Sequence, residues 1–304
     1  MKNTSSNIIA IASIQKLHDF LGLSSPLNPL ITVIDHALTS KFSTTIKDKL
    51  NLDFYNISIK RSFKGQLKYG KNTYDFDSGS ISFIAPNQII GLDNAENINQ
   101  DGWSLLFHPD LIRAYPLGKV IKNYGYFSYE ENEALHLSEE EERTIESIVD
   151  NIKKEIHARL DRFSQDVLVS NLELLMSYAN RFYNRQFISR KMASNDLLSQ
   201  FELLLSRHFA PETVTKIPTV EELAVQLHVS AAYLSDMLRS TTGQNTQQHI
   251  HNQIIEKAKQ ILTTTNLSSS EIAYALGFEY PQSFSKLFKN KTTFTPTSYR
   301  KSFH

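Results

Sequence analysis

The side chains with the clearest chemical use lie in two short segments of the second half of the sequence. If each segment is a helix, its outward positions are Ala231, Ala232, Ser235, Asp236 and Arg239 in the first and Gln282, Ser283, Lys286, Lys289 and Lys291 in the second. The parallel donors of an arginine match the two acceptors of guanine, and the amide of a glutamine matches adenine. Arg239 and Gln282 are therefore candidate base-reading residues, and Ala232 could contact a thymine methyl group.

The lysines of the second segment are suited to a different contact. Lys286, Lys289 and Lys291 would neutralise phosphates, which adds affinity without base preference. Residues 281–304 contain five lysines and arginines and no acidic residue. A solvated helix face would have the same composition, so the charge pattern alone is weak support for nucleic-acid binding.

The two segments are the second halves of one repeated pattern. The first copy begins at Leu223-Ala224 and the second at Ile272-Ala273, and in each an apolar-faced helix, a tight break and another apolar-faced helix follow. This order predicts a helix-turn-helix in each copy, over about 219–241 and 268–291. Two ordinary helical hairpins in a helical core are the alternative, but the repetition favours a protein that reads DNA with two helices.

The caps and turns of the two copies agree with that prediction. Thr219 and Glu222 are spaced as a capping box at the start of the first helix. Gly277 suits a left-handed turn between helices, and His228, at the equivalent place, tolerates that conformation less well. Pro281 fits the first turn of the last helix of the second copy.

The segment between the copies, from Thr246 to about Thr264, reads as one helix. Its length would be on the order of 27 Å. Major-groove faces on one side of B-DNA recur about every 34 Å. With the motifs packed at its ends, such a helix can place two recognition helices, at about 231–240 and 281–290, in adjacent major grooves.

Residues of about 195–302 resemble the DNA-binding domain of AraC-type transcriptional regulators. The second copy carries most of the resemblance, in Ile272-Ala273, Gly277-Phe278, Phe284-Ser285, Phe288-Lys289, Thr295-Pro296 and Tyr299-Arg300. The sequence departs from the family pattern at Thr293, where glycine is usual, and at Ile254, where arginine is common. The resemblance implies sequence-specific control of transcription by an activator that contacts RNA polymerase.

Two stretches of the first half, residues 79–88 and 105–110, resemble the cupin-like sensor half of the same family. The resemblance implies an α+β chain with a cupin-like sensor and dimerisation domain at 1–190. It also implies an all-α DNA-binding domain at 195–304, with two helix-turn-helix motifs joined by a linker helix. In the first domain we expect a barrel over about 26–110 and helices over about 138–187, where relatives often pair into a homodimer.

Short apolar runs separated by Gly, Asn and Asp predict the strands of that barrel. They are expected at 31–34, 54–60, 66–69, 73–76, 80–85, 89–92 and 104–107. A barrel could bind a small organic inducer, and the aromatic residues that could line its cavity are Tyr55, Tyr69, Tyr74, Phe76, Phe83 and Trp103. Core packing is the alternative role for each. Because no histidine lies between His36 and His108 and cysteine is absent, we expect neither a metal site nor a cofactor.

Helical periodicity predicts three further helices. One covers 7–23, one begins after a capping box formed by Ser138 and Glu141, and one covers about 162–183. The polar and basic segment 181–193 is the best candidate for a linker between the domains. Asn195 is expected to cap the first helix of the DNA-binding domain, over about 196–208.

The composition bounds the remaining possibilities. The chain has 304 residues, no net formal charge and no cysteine, which suits two domains in a reducing cytoplasm. We expect no membrane span, no signal peptide and no enzymatic activity, since no catalytic triad, phosphate loop or carboxylate pair stands out. The alternative function is a metal-free cupin-like small-molecule-binding protein or enzyme with an appended helical domain.

Overall fold

The computed structural model describes residues 8–39, 49–61, 67–69, 72–74, 79–91, 101–129, 133–159, 161–189, 191–210, 214 and 216–302. The chain divides into two compact units, Met1–Gln186 and Phe187–His304. Among the described helices, none combines the length and the apolar character that crossing a membrane requires.

Strands dominate the first half of the first unit. They are β1 (Ile8–Ile11), β2 (Ile31–Asp35), β3 (Lys49–Leu52), β4 (Tyr55–Lys60), β5 (Leu67–Tyr69), β6 (Asn72–Tyr74), β7 (Ser80–Ile84), β8 (Ile89–Gly91), β9 (Gly102–Phe107) and β10 (Leu135–His136). An antiparallel sheet has the order β10-β7-β4-β9-β2, a second sheet has the order β1-β3-β8, and β5 pairs with β6. All seven strands predicted from the sequence overlap an observed strand.

The predicted closed barrel is not confirmed, because none of the sheets formed by the described residues closes on itself. The fold of this unit is therefore a mixture of open sheets and helices. The predicted helix at 7–23 is wrong in its first half. Residues Ile8–Ile11 form a strand parallel to β3, and the helix α1 covers only Ile14–Phe20. Ser13 caps α1 by accepting a hydrogen bond from the backbone N–H of Lys16.

Alternation along the five-stranded sheet gives it two unlike faces. One face is apolar and buried, and its central residues are Ile57, Ile59, Ile81, Phe83 and Leu105. The opposite face carries Ser58 and Ser104, whose hydroxyl oxygens lie 2.9 Å apart, and Ser104 also bonds the ring of His36 at 2.8 Å. The apolar face also carries the buried rings of Tyr55, Phe83 and Trp103.

Helices complete the first unit. They are α2 (Pro109–Ile112), α3 (Pro116–Val120), α4 (Glu139–His157) and α5 (Ser164–Ser189), with short 3-10 turns at His36–Thr39, Ile121–Asn123 and Gly125–Ser128. The capping box predicted at Ser138 and Glu141 is present at the start of α4. The boundary between the two units, at Gln186 and Phe187, lies inside the predicted linker at 181–193. The described residues of this segment are helical, because α5 continues to Ser189 and the next helix begins at Lys191. Asn195 therefore lies inside a helix and is not its N-cap.

The described part of the second unit consists of helices joined by short turns. They are α6 (Lys191–Phe209), α7 (Val220–Gln226), α8 (Ala231–Thr242), α9 (Thr246–Thr264), α10 (Ser269–Ala275), α11 (Pro281–Thr292) and α12 (Pro296–Lys301). The pairs α7–α8 and α10–α11 are the two predicted helix-turn-helix motifs, and α9 is the predicted linker helix. The buried side of α9 carries Ile250, Ile254, Ile255, Ala258 and Leu262, so this helix is the centre of the unit.

Candidate nucleic-acid interface

The first helix-turn-helix is built by local interactions that the sequence encodes. Thr219 and Glu222 form a complete capping box at the start of α7. Ala224 is buried, and its carbonyl oxygen accepts a hydrogen bond of 3.1 Å from the backbone N–H of Val229 across the turn. His228 adopts the left-handed conformation between them, with φ of 56°. This turn sets the angle at which α8 leaves α7.

The second helix-turn-helix repeats the same turn with different residues. Ala273 is buried, and its carbonyl oxygen accepts a hydrogen bond of 3.0 Å from the N–H of Phe278. Gly277 has φ of 82°, and a Cβ atom there would lie 3.0 Å from the backbone nitrogen of Ile217. Gly277 thus meets two requirements, a left-handed backbone and a close approach, that no other residue meets together. Pro281 begins α11 as predicted.

The outward face of α8 carries the first set of predicted contact residues. Arg239 is exposed, and its Nη1 donates a hydrogen bond of 2.9 Å to Oδ1 of Asp236 one helical turn earlier. Ala231 and Ala232 are partly exposed at the start of the helix. The hydroxyl of Ser235 lies 3.0 Å from that of the buried Thr246, so it faces the linker helix α9. The side chains best placed for an external partner are therefore Ala232, Asp236 and Arg239.

The outward face of α11 is more exposed and more basic. Gln282, Ser283, Lys286 and Lys289 are all exposed. No carboxylate in the described part of the chain pairs with Lys286 or Lys289. This face therefore presents an uncompensated positive charge to solvent, whereas the face of α8 presents an ion pair.

Two further cations of this region have partners inside the unit. Nζ of Lys291 donates to Oδ1 of Asn252 at 3.1 Å, and the amide of Asn252 donates to Oε1 of Gln244 at 2.7 Å. Arg300 donates to the carbonyl oxygens of Leu262 and Leu267, at the end of α9 and in the loop that follows it. The five cations of residues 281–304 are therefore not one equivalent patch.

Four contributions to this arrangement were not predicted from the sequence. The bridge made by Asn252 and the carbonyl contacts of Arg300 depend on tertiary placement, for which the sequence has no local signal. Asn245 and Gln248 form a capping box at the start of α9, and Ser268 and Glu271 form another at the start of α10. The three-residue spacing of these two pairs is a signal that could have been found.

The aromatic residues predicted to line a ligand cavity are distributed differently. Tyr55, Phe83 and Trp103 are buried, with exposed fractions of 4–6%. The ring of Tyr55 stacks on Phe107 with centroids 4.9 Å apart, and Phe83 contacts Tyr126 at 4.6 Å. These contacts are those of a packed core. Tyr69 and Tyr74 lie on β5 and β6, and Phe76 lies outside the described residues.

The C-terminal part of the chain is similar to known helix-turn-helix proteins. A helix-turn-helix domain family matches residues 223–302. The chain is 32% identical over 97 residues to the uncharacterized HTH-type transcriptional regulator YisR of Bacillus subtilis. The matched segment covers 32% of this chain and 32% of that protein. It is 23% identical over 252 residues to the HTH-type transcriptional activator RhaS of Klebsiella pneumoniae, covering 82% of this chain and 85% of that protein.

Among solved structures, the chain is similar to the C-terminal domain of the two-component response regulator yesN from Fusobacterium nucleatum. The identity is 34%, the TM-score is 0.30, and the match covers 33% of this chain and 96% of that one. The chain spans about a third of the length of the first curated relatives that it matches. The family match covers both turns and both recognition helices described above. Residues 223–302 of this chain therefore form a helix-turn-helix domain that contains both motifs.

Proposed function

We propose that this protein is a sequence-specific DNA-binding transcription regulator that places α8 and α11 in two adjacent major grooves. The observation that carries the proposal is the geometry of the second unit. Two helix-turn-helix motifs with the same turn hydrogen bond precede and follow α9 in the chain, and α8 and α11 both pack on this helix of 19 residues. At about 1.5 Å per residue this helix is about 28 Å long, which together with the packed motifs suits the groove repeat of B-DNA.

The contacts divide between base reading and phosphate binding. Arg239 reads guanine and Gln282 reads adenine, because their donors and acceptors match those base edges. Ala232 contacts a thymine methyl group. Lys286 and Lys289 contact phosphates, since they are exposed and basic and need no base-specific geometry.

The remaining predicted contact residues have smaller roles in this proposal. Ala231 and Ser283 border the two base-reading surfaces. Lys291 reaches phosphate only by leaving Asn252, and Ser235 only by leaving Thr246. We therefore place both among the weaker contributors.

The proposal for the rest of the chain is a cupin-like sensor domain that forms a homodimer and responds to a small organic ligand. The exposed apolar side chains of Val167 and Leu174 on α5, and of Phe163 just before it, support a dimer surface within residues 138–187. The activator role is supported by the similarity to proteins named as transcriptional activators. Contact with RNA polymerase is a further part of this proposal. The cytoplasm is the proposed location.

The test is a selection of bound sequences from random DNA duplexes by the purified full-length chain, followed by footprinting on the selected site. The expected result is an enriched sequence whose protected bases lie in two adjacent major grooves on one side of the duplex. Enrichment of no sequence, or protection of a single groove, would contradict the proposal.

A further inference from the structure

An acidic residue on the outward face of α8 needs an explanation. Asp236 lies six residues after the N-cap Ser230, and Lys286 lies six residues after the N-cap Tyr280 of α11. The two positions are therefore equivalent, yet one is acidic and the other basic. A carboxylate held towards DNA is repelled by the phosphates, so Asp236 lowers the affinity for DNA of any sequence.

The contact made by Asp236 explains its presence better than helix stability does. Its Oδ1 accepts from Nη1 of Arg239 at 2.9 Å, and the side-chain exposures of the two residues are 27% and 57%. Ion pairs of this spacing on an exposed helix surface contribute little to folding. The same contact, however, fixes one of the five N–H donors of the guanidinium and so restricts where the others point.

We propose that Asp236 is a positioning residue that orients the guanidinium of Arg239 for bidentate contact with guanine, an inference that rests on the proposed function. Because one Nη1 donor is held by the carboxylate, the other Nη1 hydrogen and the Nη2 group form a parallel pair. That pair matches O6 and N7 of guanine.

The pair also has consequences for affinity. An acid and a base together carry no net charge, so α8 gains little attraction to phosphates at any sequence. Binding by α8 then depends on contacts with the base edges. At a site without the guanine, the N–H donors of the Arg239 guanidinium have no matching base acceptors. The residue thus trades affinity for discrimination between sequences.

The experiment measures dissociation constants of full-length wild-type protein, Asp236→Ala and Asp236→Asn on the selected duplex, on a duplex with the contacted guanine replaced, and on random DNA. A matched control exists in Glu256→Ala, because Glu256 forms an ion pair of the same spacing with Lys259 at 2.7 Å on α9. The salt dependence of binding is measured for each variant, and circular dichroism checks that each variant is folded.

The expected result for Asp236→Ala is a several-fold gain in affinity for random DNA and a roughly tenfold loss of discrimination at the guanine position. Asp236→Asn retains an acceptor oxygen but no charge, so it should lose less discrimination. This variant also keeps the inference testable if the alanine variant is unstable. Glu256→Ala should leave discrimination unchanged. In the double variant with Arg239→Ala, the substitution at Asp236 should have no further effect at that base.

Two results overturn the inference, and they are distinguishable. If the wild-type chain selects a sequence and both variants of Asp236 read it with wild-type discrimination, the positioning role is wrong while the proposed function stands. If the wild-type chain selects no sequence at all, the proposed function and the inference fail together.

Discussion

The two helix-turn-helix copies have the same backbone plan and opposite distributions of strain. In the first copy His228 occupies the left-handed turn with φ of 56°, and Gly243 ends the recognition helix with φ of 77°. In the second copy Gly277 occupies the turn, and Thr293 ends the recognition helix with φ of 67°. Each copy therefore places glycine at one of its two left-handed positions and a residue with a Cβ atom at the other. The comparison shows that the backbone conformation belongs to the motif, whereas the residue at each position can vary at an energetic cost.

The cores of the two copies also differ. Buried residues of α8 are Tyr233, Leu234, Met237 and Leu238, whereas those of α11 are Phe284 and Phe288. The ring of Phe288 lies 5.8 Å from that of Phe284 and 5.4 Å from that of Tyr299. The second copy thus concentrates its packing in fewer, larger side chains, so the loss of one should be felt more.

The largest expected effect tests this difference in packing. Phe284→Ala should lower the free energy of unfolding of the C-terminal unit by about 3–5 kcal/mol, because the ring is fully buried. Leu234→Ala, the equivalent change in the first copy, should cost about 2–5 kcal/mol. Hydrogen exchange of the backbone amides in α8 and α11 measures both. A Phe294→Ala control, at a half-exposed ring, should change little, and equal losses at Phe284 and Phe294 would refute the packing argument.

The next prediction separates the energetic cost of a left-handed backbone from the cost of a steric contact with the added Cβ atom. Gly277→Ala should cost about 2–3 kcal/mol, because its Cβ atom meets the backbone of Lys216 and Ile217 in addition to the unfavourable φ. Gly243→Ala should cost only about 1 kcal/mol, since no atom lies within 4 Å of the added Cβ. Denaturant unfolding followed by circular dichroism gives both values. Indistinguishable losses would mean that the contact at Gly277 has no energetic weight.

A third prediction concerns the outward faces. Arg239→Ala should weaken binding by about 1–3 kcal/mol on the selected site and relax the preference at one base position. Lys286→Ala should weaken binding on every sequence and lower the salt dependence by about one phosphate contact. Dissociation constants on selected and random duplexes at several salt concentrations decide between these patterns. Uniform weakening by Arg239→Ala would remove it from the base-reading residues.

A smaller effect should come from relieving the strain in each copy. Thr293→Gly should stabilise the unit by about 1 kcal/mol, because a β-branched residue is poorly tolerated at positive φ. His228→Gly should stabilise it by a similar or smaller amount. The shift of the denaturation midpoint is the measurement. Destabilisation by Thr293→Gly would show that contacts of the threonine side chain outweigh its backbone strain.

The smallest effect is the pH dependence of the two capping boxes. The ammonium group of Lys216 and the backbone N–H of Thr219 hold the pKa of Glu222 below its ordinary value of 4.5. Hydrogen bonds from Ser268, chiefly its backbone N–H, lower the pKa of Glu271 in the same direction. Because both folded-state pKa values are depressed, the stabilisation is present above about pH 4.5 and is lost as the pH falls through them.

The measurement for that prediction is unfolding between pH 3 and 6, a range of about three units centred on the ordinary carboxyl pKa. Glu222→Gln and Glu271→Gln should each flatten the acid side of the stability curve. Glu222, which has the additional partner Lys216, should contribute the larger part. A curve that neither variant changes would show that the boxes do not contribute to the acid sensitivity.

The parts of the structure that could be predicted from the sequence are those set by local interactions. The turns, the capping box at Thr219 and the start of α11 at Pro281 all follow from residues within a few positions of each other. The strand β1 could not be predicted, because its apolar spacing also fits a helix and its parallel partner β3 lies about forty residues away. The hydroxyl of Ser235 was expected to face outward, but its contact with Thr246 depends on how α8 packs on α9.

The same limit applies to the first unit. Alternation placed Tyr55 and Phe83 correctly in strands, whereas Trp103 lies just before the predicted strand at 104–107 and inside the observed β9. Alternation cannot say which face of a sheet is covered. The structure places these rings in a packed core, and their role around a ligand stays a prediction. The contact residues of α8 and α11 stay predictions as well, although the exposure of Arg239, Gln282 and Lys286 is consistent with them.

Arg300 fastens the last helix of the unit to the end of the linker helix through two main-chain oxygens. The neighbouring residue Tyr299 contacts a second helix, because its ring lies 5.4 Å from that of the buried Phe288 of α11. The short helix α12 therefore bridges α9 and α11. A truncation before Thr295 should expose Phe288 and leave two carbonyl oxygens near the end of α9 without their arginine donor, so α11 should pack less firmly on α9.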